Sequence, residues 1–109
     1  VPCGAIARQV FTNAKVRVTP VTNEVDVKAV LSKVQLGEVD AGVVYVTDVK
    51  AAGDKVLGIP IPQDVNASTS YPIATVTKST NPRLAAAFTD YVLSDAGTTV
   101  LTAAGFVAP

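Results

Sequence analysis

The chain of 109 residues is predicted to form an α/β fold with a mostly parallel sheet flanked by helices. Strand-like and helix-like segments alternate over roughly the first 60 residues, the pattern of layered α/β domains. Residues 41–46 read Ala-Gly-Val-Val-Tyr-Val, which is apolar except for the Tyr45 hydroxyl and typical of a strand buried on both faces. A hydrophobic content of 49% with 17% charged residues indicates a globular chain.

Three helical segments are expected in the first half of the chain. Pro2 suits the first position of a helix over residues 2–14, because the missing N–H has no intrahelical role there. Asn23 is the expected N-cap of a helix over residues 24–36. The apolar face of this second helix comprises Val27, Val30, Leu31 and Val34. Residues 47–52 are expected to add one or two helical turns.

The remaining segments complete the expected layers. The predicted strands are residues 15–19, 41–46, 55–62 and 71–77. Asn81 and Pro82 resemble the cap and first residue of another helix, and Ser94 is expected to cap a last one. Gly105 followed by Phe106 is typical of a helix end with a left-handed glycine and a hydrophobic contact.

Composition excludes several function classes. Nine basic and nine acidic residues balance, and the basic ones are scattered singly, so no phosphate-binding stripe exists and nucleic acid is not an expected partner. The chain has no His, the commonest general base and metal ligand. Its one cysteine, Cys3, cannot form an intrachain disulfide. We therefore expect no catalytic residue, no metal bound by side chains, no cofactor and no enzyme activity.

Four stretches of the sequence match the motifs of one known family. The opening Val-Pro-Cys-Gly is similar to the family's V-P-A-G. Residues 24–31, Glu-Val-Asp-Val-Lys-Ala-Val-Leu, are close to its E-D-V-x-x-A-L. Asp-Ala-Gly-Val-Val-Tyr-Val-Thr-Asp at 40–48 is very close to its A-G-I-V-Y-x-S/T-D strand. The fourth stretch, from Tyr71 to Phe106, resembles type II solute-binding proteins in general. Together these stretches span nearly the whole chain in the family's order. The chain thus resembles the molybdate/tungstate-binding proteins of ABC importers.

The resemblance implies a two-lobed, type II periplasmic-binding-protein-like fold with the anion in the cleft between the lobes. Residues 1–81 would be part of the second lobe, and residues 82–109 would be C-terminal helices that pack on a first lobe not included here. The family delivers molybdate or tungstate to an ABC permease. An extracytoplasmic location follows, in the periplasm or cell envelope, with an upstream membrane anchor as one possibility.

The same resemblance assigns the oxyanion to three ligands, namely the Cys3 backbone N–H, the Val27 backbone N–H and the Tyr45 hydroxyl. Unpaired N–H groups at helix N-termini bind anions without any Lys or Arg. Cys3 stands where the family has Ala, which places an added sulfur beside the cleft. If Asn23 caps the second helix, Val27 lies one residue too deep to have a free N–H, so the resemblance requires a later helix start.

Two alternatives remain open at this stage. The chain could belong to a binding protein for another oxyanion, such as phosphate or thiosulfate. It could also be an isolated half that binds no ligand and associates with itself through the apolar face of its C-terminal helices. From the pattern alone, Tyr45 could equally be a core tyrosine and Cys3 a small buried hydrophobic residue.

Overall fold

A computed structural model describes residues 2–108 of the chain. The helices are α1 (Pro2–Asn13), α2 (Val27–Gln35), α3 (Val46–Ala52), α4 (Pro82–Leu93) and α5 (Asp95–Ala104), with a 3₁₀ turn at Gly53–Lys55. The chain divides into two compact units, Val1–Thr69 and Ser70–Pro109. Among residues 2–108, no helix is long and apolar enough to cross a membrane.

The helices of the first unit form close to where the sequence predicts them. Helix α1 begins at Pro2 and buries Val10, and the Asn13 amide at its end donates to the Val65 carbonyl at 3.1 Å. Helix α2 ends as expected, because Gly37 adopts a φ of 71° and the Glu38 N–H returns to the Lys33 carbonyl at 2.9 Å. The start of α2 differs from the prediction, which has consequences for the site.

Asp26, not Asn23, caps α2. Its backbone is extended, and its carboxylate accepts the Ala29 N–H at 2.8 Å. An Asp at this position satisfies a helix N–H and adds a negative charge at the positive end of the helix dipole. The prediction of an Asn23 cap is therefore wrong, and the first helical residue is Val27.

The predicted sheet is absent from residues 2–108. Helices and the 3₁₀ turn are the regular elements there, and the four expected strands, at 15–19, 41–46, 55–62 and 71–77, are not formed. Backbone angles at Tyr45 (φ −77°, ψ 157°) and Val56 (φ −141°, ψ 154°) are nevertheless extended. Alternating or continuous apolar residues favour an extended backbone, but a strand also needs a neighbour to complete its ladder of hydrogen bonds.

The second unit is built on a pair of helices that pack on each other. Gly97 is buried at their junction, where a Cβ would overlap the carbonyl oxygens of Tyr91 and Val92. Ser94 caps α5 as predicted, accepting the Gly97 N–H at 3.3 Å. Asn81 precedes α4 as expected, but its side chain makes no capping hydrogen bond.

The end of the second unit matches its sequence signature. Gly105 has a φ of 107°, and the Phe106 N–H donates to the Leu101 carbonyl at 3.0 Å. The Phe106 ring meets Tyr71 edge to face, with centroids 6.1 Å apart. The predicted helix stop at a left-handed glycine is confirmed. The hydrophobic contact of Phe106 with the last turn of α5 stays a prediction, because the Phe106 ring meets Tyr71, which lies outside that helix.

Few side chains are buried. Among the described residues, Val10 and Ala52 are the buried hydrophobic ones, while Leu84 on α4 is 70% exposed. The assignment of residues 1–81 and 82–109 to different lobes stays a prediction, because compactness of a segment does not identify a lobe.

Candidate functional site

Two of the three expected ligands lie against each other. Cys3 is the second residue of α1, and Tyr45 is the residue that precedes α3. The side chains of Cys3 and Tyr45 are hydrogen-bonded, and the Cys3 Sγ also contacts the Val43 carbonyl oxygen at 3.8 Å. Both residues are half-buried. Residues 41–45 form no regular element, and the last of them, Tyr45, is extended. This stretch, the extended segment, ends against the N-terminus of α1.

The surroundings of Cys3 keep its thiol protonated. Burial raises the pKa of the thiol above its ordinary value of 9.0, and the negative charge of Asp48 raises that pKa further. The hydrogen bond with the Tyr45 side chain lowers it, so the phenol acts as a donor toward negative charge at the sulfur. A thiol with a raised pKa is a poor nucleophile, which argues against a covalent role.

The Cys3 backbone N–H is one of the first N–H groups of α1. The first four N–H groups of a helix have no carbonyl one turn earlier to bond, and they carry the positive end of the helix dipole. Because Pro2 has no N–H, Cys3 is the first residue of α1 that has one. Its position fits hydrogen-bond donation to an anion.

Val27 begins α2 and so has the same property. With Asp26 as the cap, Val27 is the first residue of the helix, and its N–H has no intrahelical acceptor. The later helix start removes the conflict that an Asn23 cap created. Val27 lies in a different element from the Cys3–Tyr45 pair. One turn further along α2, Val30 lies against Gly42, which connects the helix to the segment that ends at Tyr45.

Gly42 allows the extended segment to lie close to α2. A Cβ at Gly42 would overlap Val30 Cγ1 and would lie 3.3 Å from Val34 Cγ2. The absence of a side chain therefore lets segment 41–45 pass close to the helix. Sequence reasoning treated Gly42 only as part of a motif.

Asp48 is a residue of this site that sequence reasoning missed. Its carboxylate Oδ2 accepts the Tyr45 backbone N–H at 3.0 Å, and its own N–H donates to the Tyr45 carbonyl at 3.1 Å. The spacing Tyr-x-x-Asp, with the acid at the third helical position, is the capping-box spacing and could have indicated this contact. Asp48 is half-buried, so its charge is partly shielded from water. The charge is close enough to the Cys3–Tyr45 pair to affect the thiol.

The chemistry of the arrangement is that of hydrogen-bond donation. Two helix N-termini and a phenol present donors that carry no full positive charge. Among residues 2–108, no group of three or more Cys, Asp or Glu could hold a metal ion. Donors of this kind suit hydrogen bonding to a small anion.

Comparison with known proteins gives the family. A model of the family described as bacterial extracellular solute-binding protein matches residues 1–107, and the chain belongs to this family. The chain is also 35% identical over all of its 109 residues to the molybdate-binding protein ModA of Mycobacterium bovis and to that of Mycobacterium tuberculosis. It spans 42% of the length of these relatives. No solved structure matches the chain significantly. The expected family is thus confirmed at the level of a solute-binding protein, a family of binding proteins and not of enzymes.

Proposed function

We propose that the chain is part of a binding protein for a tetrahedral oxyanion, molybdate or tungstate, which it delivers to an ABC permease. The observation that carries the proposal is the contact between Tyr45 and Cys3 at the N-terminus of α1. It joins a phenol to a helix end, the combination that the family resemblance requires. The mycobacterial relatives, which match along the whole chain, are molybdate-binding proteins and support the same ligand.

In this proposal the oxyanion accepts hydrogen bonds from three donors, the Cys3 N–H, the Val27 N–H and the Tyr45 hydroxyl. A phenol has one O–H, so when the anion binds, the Tyr45 hydroxyl donates to it and no longer to the Cys3 sulfur. The capped start of α2 and the proline start of α1 support the two amides as donors. Molybdate and sulfate carry the same charge and offer the same four oxygens, so the size of the cavity selects between them. No covalent step and no cofactor is involved.

The proposal includes the two-lobed type II fold. Residues 1–81 contribute part of the second lobe, and residues 82–109 pack on a first lobe supplied by chain outside these 109 residues. The extended segment that ends at Tyr45 would then become a strand of a mostly parallel sheet when it meets its neighbours. Membership of an extracellular family supports a location outside the cytoplasm, and an upstream segment could supply a membrane anchor.

Calorimetric titration with molybdate, tungstate and sulfate tests this function. The titration uses the protein as encoded in its genome, with the 109-residue chain measured beside it. We expect molybdate and tungstate to bind and sulfate to bind much more weakly. Competition with phosphate and thiosulfate tests whether the site serves another oxyanion. Failure of the encoded protein to bind either metal oxyanion at millimolar concentration would contradict the proposal.

Exposed apolar residues of α4 favour a second candidate, self-association of the chain. Leu84 and Phe88 are 70% and 60% exposed, and they line an open groove together with Ser79, Asn81 and Ala85. Large exposed apolar patches mark interaction surfaces. Light scattering over a concentration series, with Phe88→Ser and a control Thr102→Ser on exposed α5, tests this candidate. A monomer at every concentration would exclude it; a dimer that only Phe88→Ser dissociates would support it.

A further inference from the structure

The residue that completes the site is Asp48, which touches Tyr45 through the main chain. Tyr45 ends an extended segment and immediately precedes a helix of seven residues. A short helix has little intrinsic stability, so its first turn depends on side chains that satisfy free N–H groups. Asp48 bonds the Tyr45 N–H at 3.0 Å and closes that turn.

We propose that Asp48 is a positioning residue that holds the Tyr45 side chain against Cys3 and lowers the affinity of the site for anions through its charge. The proposal rests on the oxyanion-binding function proposed above. The hydrogen bond from Tyr45 to Asp48 fixes the main chain at Tyr45, and through it the direction of the phenol. The Asp48 carboxylate lies 3.0 Å from the Tyr45 N–H and is half-buried, so its negative charge is close to Tyr45 and little screened by water. It also opposes negative charge at the Cys3 sulfur.

The two effects of Asp48 are separable by substitution. Asp48→Asn keeps an oxygen that can accept the Tyr45 N–H and removes the charge, whereas Asp48→Ala removes both the acceptor and the charge. If Asp48 positions Tyr45, Asp48→Asn preserves the Tyr45–Cys3 contact and Asp48→Ala loses it. If the Asp48 charge opposes the anion, Asp48→Asn also strengthens binding.

Reactivity of Cys3 reports both effects without any oxyanion. The charged or titratable groups around the thiol are Asp48 and Tyr45. On α1, the exposed Arg8 guanidinium lies near the neighbouring Gly4, 4.0 Å from the position that a Cβ there would take. The pH dependence of alkylation by iodoacetamide is followed on the Cys3-containing peptide by mass spectrometry. Asp48→Asn is expected to lower the pKa of the thiol and to speed alkylation at neutral pH at least about twofold, because a nearby negative charge is removed.

A double-mutant cycle with Tyr45→Phe isolates the positioning effect. In the Asp48→Asn background, Tyr45→Phe is expected to raise the thiol pKa again, because the phenol donor is lost. In the Asp48→Ala background, Tyr45→Phe is expected to change nothing, because the phenol has already left the sulfur. An equal effect of Tyr45→Phe in both backgrounds would overturn the positioning role. Equal thiol pKa values in the Asp48→Asn variant and the unaltered protein would overturn the charge effect.

Calorimetry with sodium molybdate completes the test. Asp48→Ala is expected to weaken binding about tenfold, a change of about 1.4 kcal/mol. Asp48→Asn is expected to bind more tightly than the unaltered protein, and equal affinity of the two would overturn the effect of the Asp48 charge on the anion. Equal losses in the two variants would overturn the proposal. Circular dichroism checks that each variant is folded. If Asp48→Ala is unfolded, two measurements on Asp48→Asn test the proposal instead. They are its molybdate affinity and the change in its thiol pKa that Tyr45→Phe causes.

The alkylation and calorimetric arms distinguish failure of this proposal from failure of the proposed function. If the unaltered protein binds no oxyanion but the alkylation cycle behaves as expected, the ligand role of Tyr45 fails and its positioning by Asp48 stands. If molybdate binds and the cycle shows no dependence on Asp48, the function stands and the positioning role fails.

Discussion

Replacement of Gly42 by Ala tests the packing that brings the extended segment to the site. The new Cβ would overlap Val30 Cγ1 and would lie 3.3 Å from Val34 Cγ2. Both valines are β-branched residues on a helix, where one χ1 rotamer is strongly preferred, so their methyl groups cannot turn away freely. Either α2 or the segment must move.

The expected cost follows from two opposing effects. Overpacking of this kind costs about 1–3 kcal/mol. Gly→Ala at an unstrained position raises the free energy of unfolding by about 0.4–1 kcal/mol, because it restricts the unfolded chain. We therefore expect Gly42→Ala to lower the free energy of unfolding by about 1–2 kcal/mol, with about 4–8 °C lost from Tm for each kcal/mol in a domain of this size.

Urea and thermal unfolding followed by circular dichroism measure this change. Gly4→Ala is the matched control, because its Cβ would meet only the Arg8 guanidinium at 4.0 Å. In a helix that substitution is expected to stabilise by up to about 1 kcal/mol. A Gly42→Ala protein as stable as the original, with the Gly4→Ala control behaving as expected, would refute the close contact between α2 and residue 42.

Three further predictions concern Tyr45, Cys3 and Gly105. Tyr45→Phe is expected to weaken molybdate binding by about 1–3 kcal/mol, measured by calorimetry, because a hydrogen bond to a charged ligand is lost. The raised pKa of Cys3 means that the folded protein holds the thiol proton more tightly than the unfolded chain does. That contribution to stability is present below about pH 9 and is lost as pH rises through the folded-state pKa. Urea unfolding of the original protein and of Cys3→Ser at a series of pH values measures this loss. Gly105→Ala is expected to destabilise by about 1–2 kcal/mol, because its φ of 107° is unfavourable for a residue with a Cβ.

Each of these predictions has a control or a contradicting result. Unchanged molybdate affinity in Tyr45→Phe would remove the phenol from the site. A constant difference in unfolding free energy between the original protein and Cys3→Ser, from neutral to alkaline pH, would show that the thiol pKa is unshifted. Gly105→Asn should lose less stability than Gly105→Ala, since Asn tolerates left-handed angles better. Equal losses would indicate that space, and not φ, determines the cost.

Local signals in the sequence located the helices well. Pro2 and Pro82 each stand at the first position of a helix, and the glycines at 37 and 105 end helices with positive φ. These features depend on the residue itself and its nearest neighbours in sequence. The Asn23 cap was wrong because several polar residues before α2 could serve, and only the backbone geometry at Asp26 selects among them.

Strand pairing could not be predicted from the same local signals. The apolar run at 41–46 predicted an extended backbone, and Tyr45 is extended, but pairing depends on a second segment elsewhere. The site shows the same limit. The family resemblance predicted Cys3, Val27 and Tyr45 as ligands. The roles of Gly42 and Asp48 depend on contacts that are visible only in the three-dimensional structure.

The most direct test of the oxyanion site is an NMR titration of the isotopically labelled protein with molybdate. We expect large, saturable shifts of the Cys3 and Val27 backbone N–H resonances, since amides that donate to an anion change their environment most. Sulfate at the same concentrations should shift them much less. Saturable shifts that leave both amides unchanged and cluster elsewhere would contradict the proposed site, because the anion would then bind at another place.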